Sequence, residues 1–230
     1  MKLDIPDFSN IKHYTNKRKF RNRHPLLPQW AFNMIISGPT GSGKSWLTYA
    51  LICKFLVFDK LYLYTRHTDQ PGVQMLITFF EKIEKKTGED ILHLENDIEN
   101  LIPLDDLNPN IQNLVIFDDF IMSNYLSNIT EYYVRGRHKN CSTIFLTQIY
   151  TKVPRPIRLN SQYFAFFKVP NRKELQLLYA EVGGMLNKEV FYDLFHKATK
   201  DPYQFFFIDT RAKTKELMFR KNFDEILVDD

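Results

Sequence analysis

One eight-residue stretch limits this chain more than any other feature. Gly38-Pro39-Thr40-Gly41-Ser42-Gly43-Lys44-Ser45 fits the phosphate-cradling pattern G-x-x-x-x-G-K-[ST] in full. An apolar run, Ala31-Phe32-Asn33-Met34-Ile35-Ile36-Ser37, precedes it, and a helix-compatible segment over 45–55 follows. The pattern works only between a strand and a helix. Its glycines admit backbone conformations that turn successive N–H groups inward, and the helix start adds a positive dipole for a phosphate. In this setting Lys44 reaches the β- and γ-phosphates and the Ser45 hydroxyl ligates Mg²⁺. ATP and Mg²⁺ are therefore the expected ligands, held by Gly38, Pro39, Thr40, Gly41, Ser42, Gly43, Lys44 and Ser45.

The rest of the chain supplies the sheet that such a loop needs. Strand-like runs at 31–37, 60–65, 114–117, 143–147, 163–167, 203–208 and 217–219 alternate with helix-like spacing at 45–55, 73–86, 129–138, 172–182 and 189–197. The expected fold is α/β: a three-layer P-loop NTPase with a RecA-like, mostly parallel sheet, its last two strands closing antiparallel at one edge. Tyr163, Phe164, Phe166 and Phe167 have core spacing. Hydrophobic residues are 44% of the 230, enough for one buried core. No apolar run approaches the length of a membrane span, and the N-terminus carries no signal-like stretch. Cys53 and Cys141 sit in apolar runs and read as buried free thiols. No Cys/His cluster has zinc-ligand spacing.

The net charge of +4 is unevenly spread. Residues 1–30 carry +5, residues 221–230 carry −3, and the stretch between is close to neutral. Three segments are expected: a basic arm over 1–28, an ATPase domain over 29–223 and an acidic tail over 224–230. The arm interleaves aromatics with Lys and Arg. This suits phosphate-backbone contact and equally suits a solvated tail.

Two further strand ends bear on chemistry. Asn113-Leu114-Val115-Ile116-Phe117-Asp118-Asp119 is an apolar strand ending in two carboxylates, a Walker B pattern. Asp118 is expected to hold Mg²⁺ opposite Ser45, and Asp119 to orient or deprotonate the attacking water. Glu is commoner at the second position in related ATPases. Cys141-Ser142-Thr143-Ile144-Phe145-Leu146-Thr147-Gln148 ends in an amide that can both donate and accept hydrogen bonds. Beside the Walker B strand, Gln148 would face the γ-phosphate. Arg66-His67-Thr68-Asp69 follows the second strand at the same end of the sheet and reads as a loop, a pore lining or part of the nucleotide pocket.

Taken together, Gly38–Ser45, Asp118-Asp119, Gly136-Arg137-His138, Thr147-Gln148 and Ile157-Arg158-Leu159-Asn160 resemble the FtsK/HerA superfamily of DNA-pumping ATPases. Within it they are similar to the genome-packaging ATPases of poxviruses, giant viruses and virophages. The resemblance covers roughly residues 31–167. It implies an ATP-driven translocase of double-stranded DNA, acting as a homo-oligomeric ring of five or six subunits that packages a viral genome. The further implied partner is a capsid protein, and the implied location is the host cytoplasm, a virus factory or the virion. Arg137 matches the arginine finger that reaches a neighbouring subunit's nucleotide, with Arg158 and Arg135 as further candidates. The implied catalytic set is thus Lys44, Asp119, Gln148, Arg137 and Arg158. Two alternatives stay open: another P-loop enzyme such as a nucleotide kinase, or a non-catalytic, ATP-regulated DNA-binding or assembly protein.

Overall fold

A computed structural model describes residues 24–169 and 171–227. Most of the basic arm and the last three residues of the acidic tail lie outside that range. The elements follow in the order β1 (Asn33–Ser37), α1 (Lys44–Ala50), β2 (Lys60–Thr65), α2 (Pro71–Thr87), β3 (Leu92–Glu95), β4 (Asn113–Asp118), α3 (Leu126–Arg135) and β5 (Cys141–Thr147). There follow α4 (Arg155–Leu159), β6 (Tyr163–Phe167), α5 (Arg172–Val182), α6 (Lys188–Ala198), β7 (Phe205–Asp209), α7 (Lys215–Met218), β8 (Phe219–Lys221) and β9 (Glu225–Ile226). The strands form one sheet in the order β3-β2-β4-β5-β1-β6-β7-β8-β9. From β3 to β6 every pairing is parallel, and from β6 to β9 every pairing is antiparallel.

Alternation of side chains along the strands divides the core between the two faces. Met34 and Ile36 of β1, with Ile144 and Leu146 of β5, face Leu47 of α1 and Val73, Leu76 and Phe80 of α2. Ile35 and Phe145 face the other way, onto Ile129 and Tyr132 of α3, Leu178 of α5 and Phe191 and Phe195 of α6. This is the expected three-layer arrangement. A sheet covered on both sides must be apolar on both sides, which explains the continuous apolar runs of the central strands. Tyr163, Phe164, Phe166 and Phe167 are all core residues, each at most 2% exposed.

The structure corrects several expected boundaries. The helix over 45–55 is regular only to Ala50, and Leu51–Phe55 winds into a wider π-helical turn closed by Leu56 N–H to the Leu51 carbonyl at 2.8 Å. That turn keeps Leu51, Ile52 and Leu56 buried. The strand expected over 217–219 begins only at Phe219, because residues 215–218 form a helical turn capped by the Thr214 hydroxyl, which accepts from Leu217 N–H. The strand expected from residue 203 begins at Phe205, because Tyr203 takes a left-handed backbone with φ 64°. The helix over 129–138 runs instead from Leu126 to Arg135 and tightens to a 3₁₀ turn over Gly136–Lys139. The sheet also passes residue 223, since β9 pairs with β8. At the other terminus Leu27 is buried, and the Arg220 guanidinium donates to the Leu26 carbonyl at 3.0 Å, so residues 26–28 belong with the domain. Cys141 is a buried free thiol as expected, whereas Cys53 is partly exposed. Among the described residues no helix is long and apolar enough to cross a membrane.

Candidate active site

The loop after β1 carries the glycines its path requires. A Cβ on Gly38 would lie 2.7 Å from the Phe167 Cβ and 2.8 Å from Ser42 Oγ. Gly43 has φ 109°, which L side chains rarely adopt. Lys44 folds back over the loop and its Nζ donates to the carbonyls of Gly38 at 2.7 Å and Pro39 at 3.0 Å. Burial lowers the Lys44 amine below its ordinary pKa, against the opposing pull of Asp118 and Asp119.

Sheet order decides what meets this loop. Because β5 lies between β1 and β4, both strand ends converge on it, and Gly38 N–H bonds the Thr147 carbonyl at 3.2 Å. A cleft of about 530 Å³ results, lined by Thr40, Lys44, Ser45, His67, Asp118, Asp119 and Gln148 among others. Ligands gather at the carboxyl ends of parallel strands, where this cleft lies.

Asp118 closes β4, and its Oδ2 accepts from Thr65 Oγ1 at 3.1 Å. Burial raises its pKa; the Thr65 hydrogen bond opposes that, and Asp119 adds to it. Asp119 turns the chain away with φ 62°. The left-handed region tolerates Asp better than longer side chains, which is a local reason for Asp where Glu is commoner. Gln148 bridges the cleft: its Nε2 donates to Asp119 Oδ2 at 3.2 Å, and its Oε1 accepts from Thr40 Oγ1 at 3.1 Å. The Ser45 side chain shares a hydrogen bond with the Tyr49 hydroxyl.

The residues fit a nucleotide and Mg²⁺. Ser42 Oγ is buried with no hydrogen-bond partner, an unsatisfied hydroxyl inside the loop. Among the described residues no group of three or more His, Cys, Asp or Glu forms a metal cage. Mg²⁺ usually takes one or two carboxylates and leaves its other positions to water and phosphate, and Asp118 with Ser45 supplies such a half-shell.

The arginines are elsewhere. Arg137 precedes β5, at the end of that strand opposite the cleft; seven residues at roughly 3.3 Å each separate the two ends by about 20 Å. It is exposed and makes no ion pair with any described residue. Arg135 is bound to Glu131 and to Asp105. Arg158 is not available as a finger: only 11% exposed, it holds Glu181 at 2.8 Å, donates to the Val153 carbonyl and lies over the Tyr150 ring. This corrects its catalytic assignment. His138 is exposed at the same far end, away from the cleft. Of the loop after β2, His67 lines the cleft, while the Arg66 guanidinium packs over Phe120.

Sequence reasoning missed Thr65 and Tyr49, which hold Asp118 and Ser45. It also missed Trp46 and Tyr203, exposed aromatics beside the loop. Thr65 ends an apolar strand as Thr147 does, a signal that gains meaning only once β2 is known to pair with β4.

Comparison with known proteins bears on the family and the fold. The family model described as Poxvirus A32 protein matches residues 17–208. No curated protein matches the chain in sequence. Among solved structures, the genome packaging NTPase B204 of Sulfolobus turreted icosahedral virus 2 matches in complex with ATP-gammaS, at 15% identity, 85% of this chain, 98% of that chain and a TM-score of 0.56. Its AMPPCP complex matches at 15% identity over 86% and 99%, with a TM-score of 0.57. B204 from Sulfolobus turreted icosahedral virus, a DNA-packaging ATPase, matches at 15% identity over 85% and 98%, with a TM-score of 0.56. At that identity the likeness establishes the fold: a P-loop NTPase.

Proposed function

The chain belongs to the poxvirus A32 protein family, and from that membership and the geometry of the cleft we propose that it is an Mg²⁺-dependent ATPase packaging viral double-stranded DNA as an oligomeric ring. The observation that carries the reading is the convergence of Lys44, Asp118, Asp119 and Gln148 on one cleft over the loop. That the similarly folded B204 proteins are genome-packaging NTPases supports it further.

In this reading Lys44 and the loop N–H groups hold the phosphates. Ser45 and Asp118 would hold Mg²⁺, which would supply charge neutralisation to the phosphates. Asp119 orients the attacking water and accepts its proton. Gln148, hydrogen-bonded to both Asp119 and Thr40, reports whether the γ-phosphate is present. Arg137 lies too far from its own cleft to act there and serves the site of the next subunit, where an arginine finger is worth roughly 10³–10⁵ in rate. The site is therefore complete only in the ring. The basic arm, residues 1–25 once 26–28 are counted with the domain, contacts DNA phosphates, a capsid protein or the neighbouring subunit. The protein works in the infected cell, where virions assemble.

The test is ATP turnover by the full chain with and without linear double-stranded DNA, alongside phosphate transfer to nucleoside monophosphates. DNA-stimulated, Mg²⁺-dependent hydrolysis without transfer is expected. Transfer to a monophosphate would identify a kinase, and nucleotide binding without turnover would identify a non-catalytic regulator.

A further inference from the structure

The loop has a second side that the chemistry above leaves unused. In the reading above the γ-phosphate faces Asp118, Asp119 and Gln148 where β4 and β5 end, and the nucleoside extends to the other side of the loop. Two aromatic side chains stand there. Trp46 directly follows Ser45, and Tyr203 lies in the turn between α6 and β7. At 68% and 69% they are the two most exposed large aromatics among the described residues.

Both line one cleft of about 430 Å³ together with Gly43, Lys44 and Ser45. The Tyr203 ring lies against the loop itself, for a Cβ on Gly43 would come within 3.3 Å of its Cδ1. Tyr203 also holds a left-handed backbone, φ 64°, which is uncommon for so bulky a residue. Such conformations persist where the surroundings impose them, and they cluster at ligand sites. The other tryptophan, Trp30, is 7% exposed and hydrogen-bonded to Asn140, so exposure is not the habit of tryptophan in this fold.

We propose that Trp46 and Tyr203 form the nucleobase subsite, gripping the base by stacking rather than by reading its edge. The proposal rests on the triphosphate reading of the loop. Every base has a π-face, so stacking tolerates base identity, and each ring contributes roughly 5- to 150-fold in affinity. Discrimination among ATP, GTP and CTP is accordingly within about tenfold.

The test measures equilibrium binding of ATP and of inorganic tripolyphosphate, each with Mg²⁺, to the full chain. Tyr203→Asn removes the ring but keeps a residue that tolerates a left-handed backbone, and Tyr203→Phe keeps the ring. Tyr203→Asn and Trp46→Ala should each weaken ATP roughly 10- to 100-fold and leave tripolyphosphate within about threefold, with Tyr203→Phe close to wild type. ATP should quench the exposed indole emission in wild type and not in Trp46→Ala, and tripolyphosphate should quench neither. Unchanged ATP affinity in the Trp46→Ala/Tyr203→Asn double variant overturns the proposal, as does equal loss of ATP and tripolyphosphate. Lys44→Ala should abolish binding of both probes. If wild type binds neither, the triphosphate reading itself is wrong and this proposal goes with it.

Discussion

Replacing Asp118 by Asn should make the ligand-free protein more stable and the enzyme nearly inactive. The Asp118 carboxyl is largely buried at the end of β4, accepts from Thr65 and stands next to Asp119. Burial raises its pKa, so ionisation is disfavoured in the folded state. The amide is nearly isosteric and keeps an acceptor for the Thr65 hydroxyl, while the charge disappears. Relieving one such functional-site conflict is worth about 0.5–2 kcal/mol. A chain of this size gains about 2–4 °C per kcal/mol, so the melting temperature should rise by about 1–8 °C at pH 7.5. The sign follows from linkage. A carboxyl whose folded pKa is raised stabilises the fold when protonated, and that contribution is lost as pH rises through the folded value. The gap between variant and wild type is therefore full at pH 7.5 and closes as pH falls toward the ordinary carboxylate range near 4. A bound nucleotide and Mg²⁺ should reverse the order: wild type gains about 2.7 kcal/mol at a hundredfold excess over Kd, and the variant, lacking a metal ligand, gains less. Turnover should fall at least about 100-fold, matching the several kcal/mol that a metal supplies to phosphoryl transfer. Thermal melts across pH, with and without a non-hydrolysable analogue, and steady-state turnover are the assays. A lower melting temperature for the ligand-free variant refutes the electrostatic argument, and wild-type turnover refutes the metal assignment.

Gln148→Ala removes the bridge between Thr40 and Asp119 and should lower kcat about 10- to 100-fold while leaving nucleotide Kd within about threefold; a change in Kd alone in stopped-flow binding would count against a sensing role. Arg137→Ala should cost about 10³ in turnover of the assembled ring without changing nucleotide affinity, and mixing it with Lys44→Ala subunits should recover activity from hybrid interfaces; no recovery argues against action in trans. Arg158→Ala should destabilise the fold by about 3–5 kcal/mol in urea titrations by stranding Glu181, and Arg158→Met with Glu181→Leu should restore most of that; unaltered stability would mean the pair is not structural.

The parts of the site legible in the sequence are those whose chemistry is local. The loop announces itself in eight consecutive residues, and Asp118 and Gln148 each end an apolar run whose strand character is plain. Their meeting depends on β5 lying between β1 and β4, a strand order that hydropathy along the chain leaves open. What stayed hidden depends on register between distant segments. Thr65 matters because it pairs across from Asp118, and nothing near Thr65 says so. Arg158 looked like a candidate finger because its partner, Glu181, lies on a helix 23 positions away. Tyr203 passed for the first residue of a strand, since a single left-handed residue leaves no mark on hydropathy. Leu217 and Met218 read as strand for a related reason: two apolar residues beside Phe219 fit either state until the Thr214 cap is noticed.

All seven residues of β5 are buried, and the strand is hydrogen-bonded to a parallel neighbour on each side. A strand so enclosed behaves as a stiff push-rod. It cannot slip by a residue without breaking both ladders and turning its core side chains to the wrong face. One end of the rod is Thr147 and Gln148 at the cleft, and the other is the short turn that presents Arg137 to the outside. Between Arg137 and the strand itself lies only the end of that turn and Asn140, which reverses the chain with φ 51°. In the ring proposed above, this strand would be the covalent link between Gln148 at a subunit's own cleft and the arginine it offers to its neighbour.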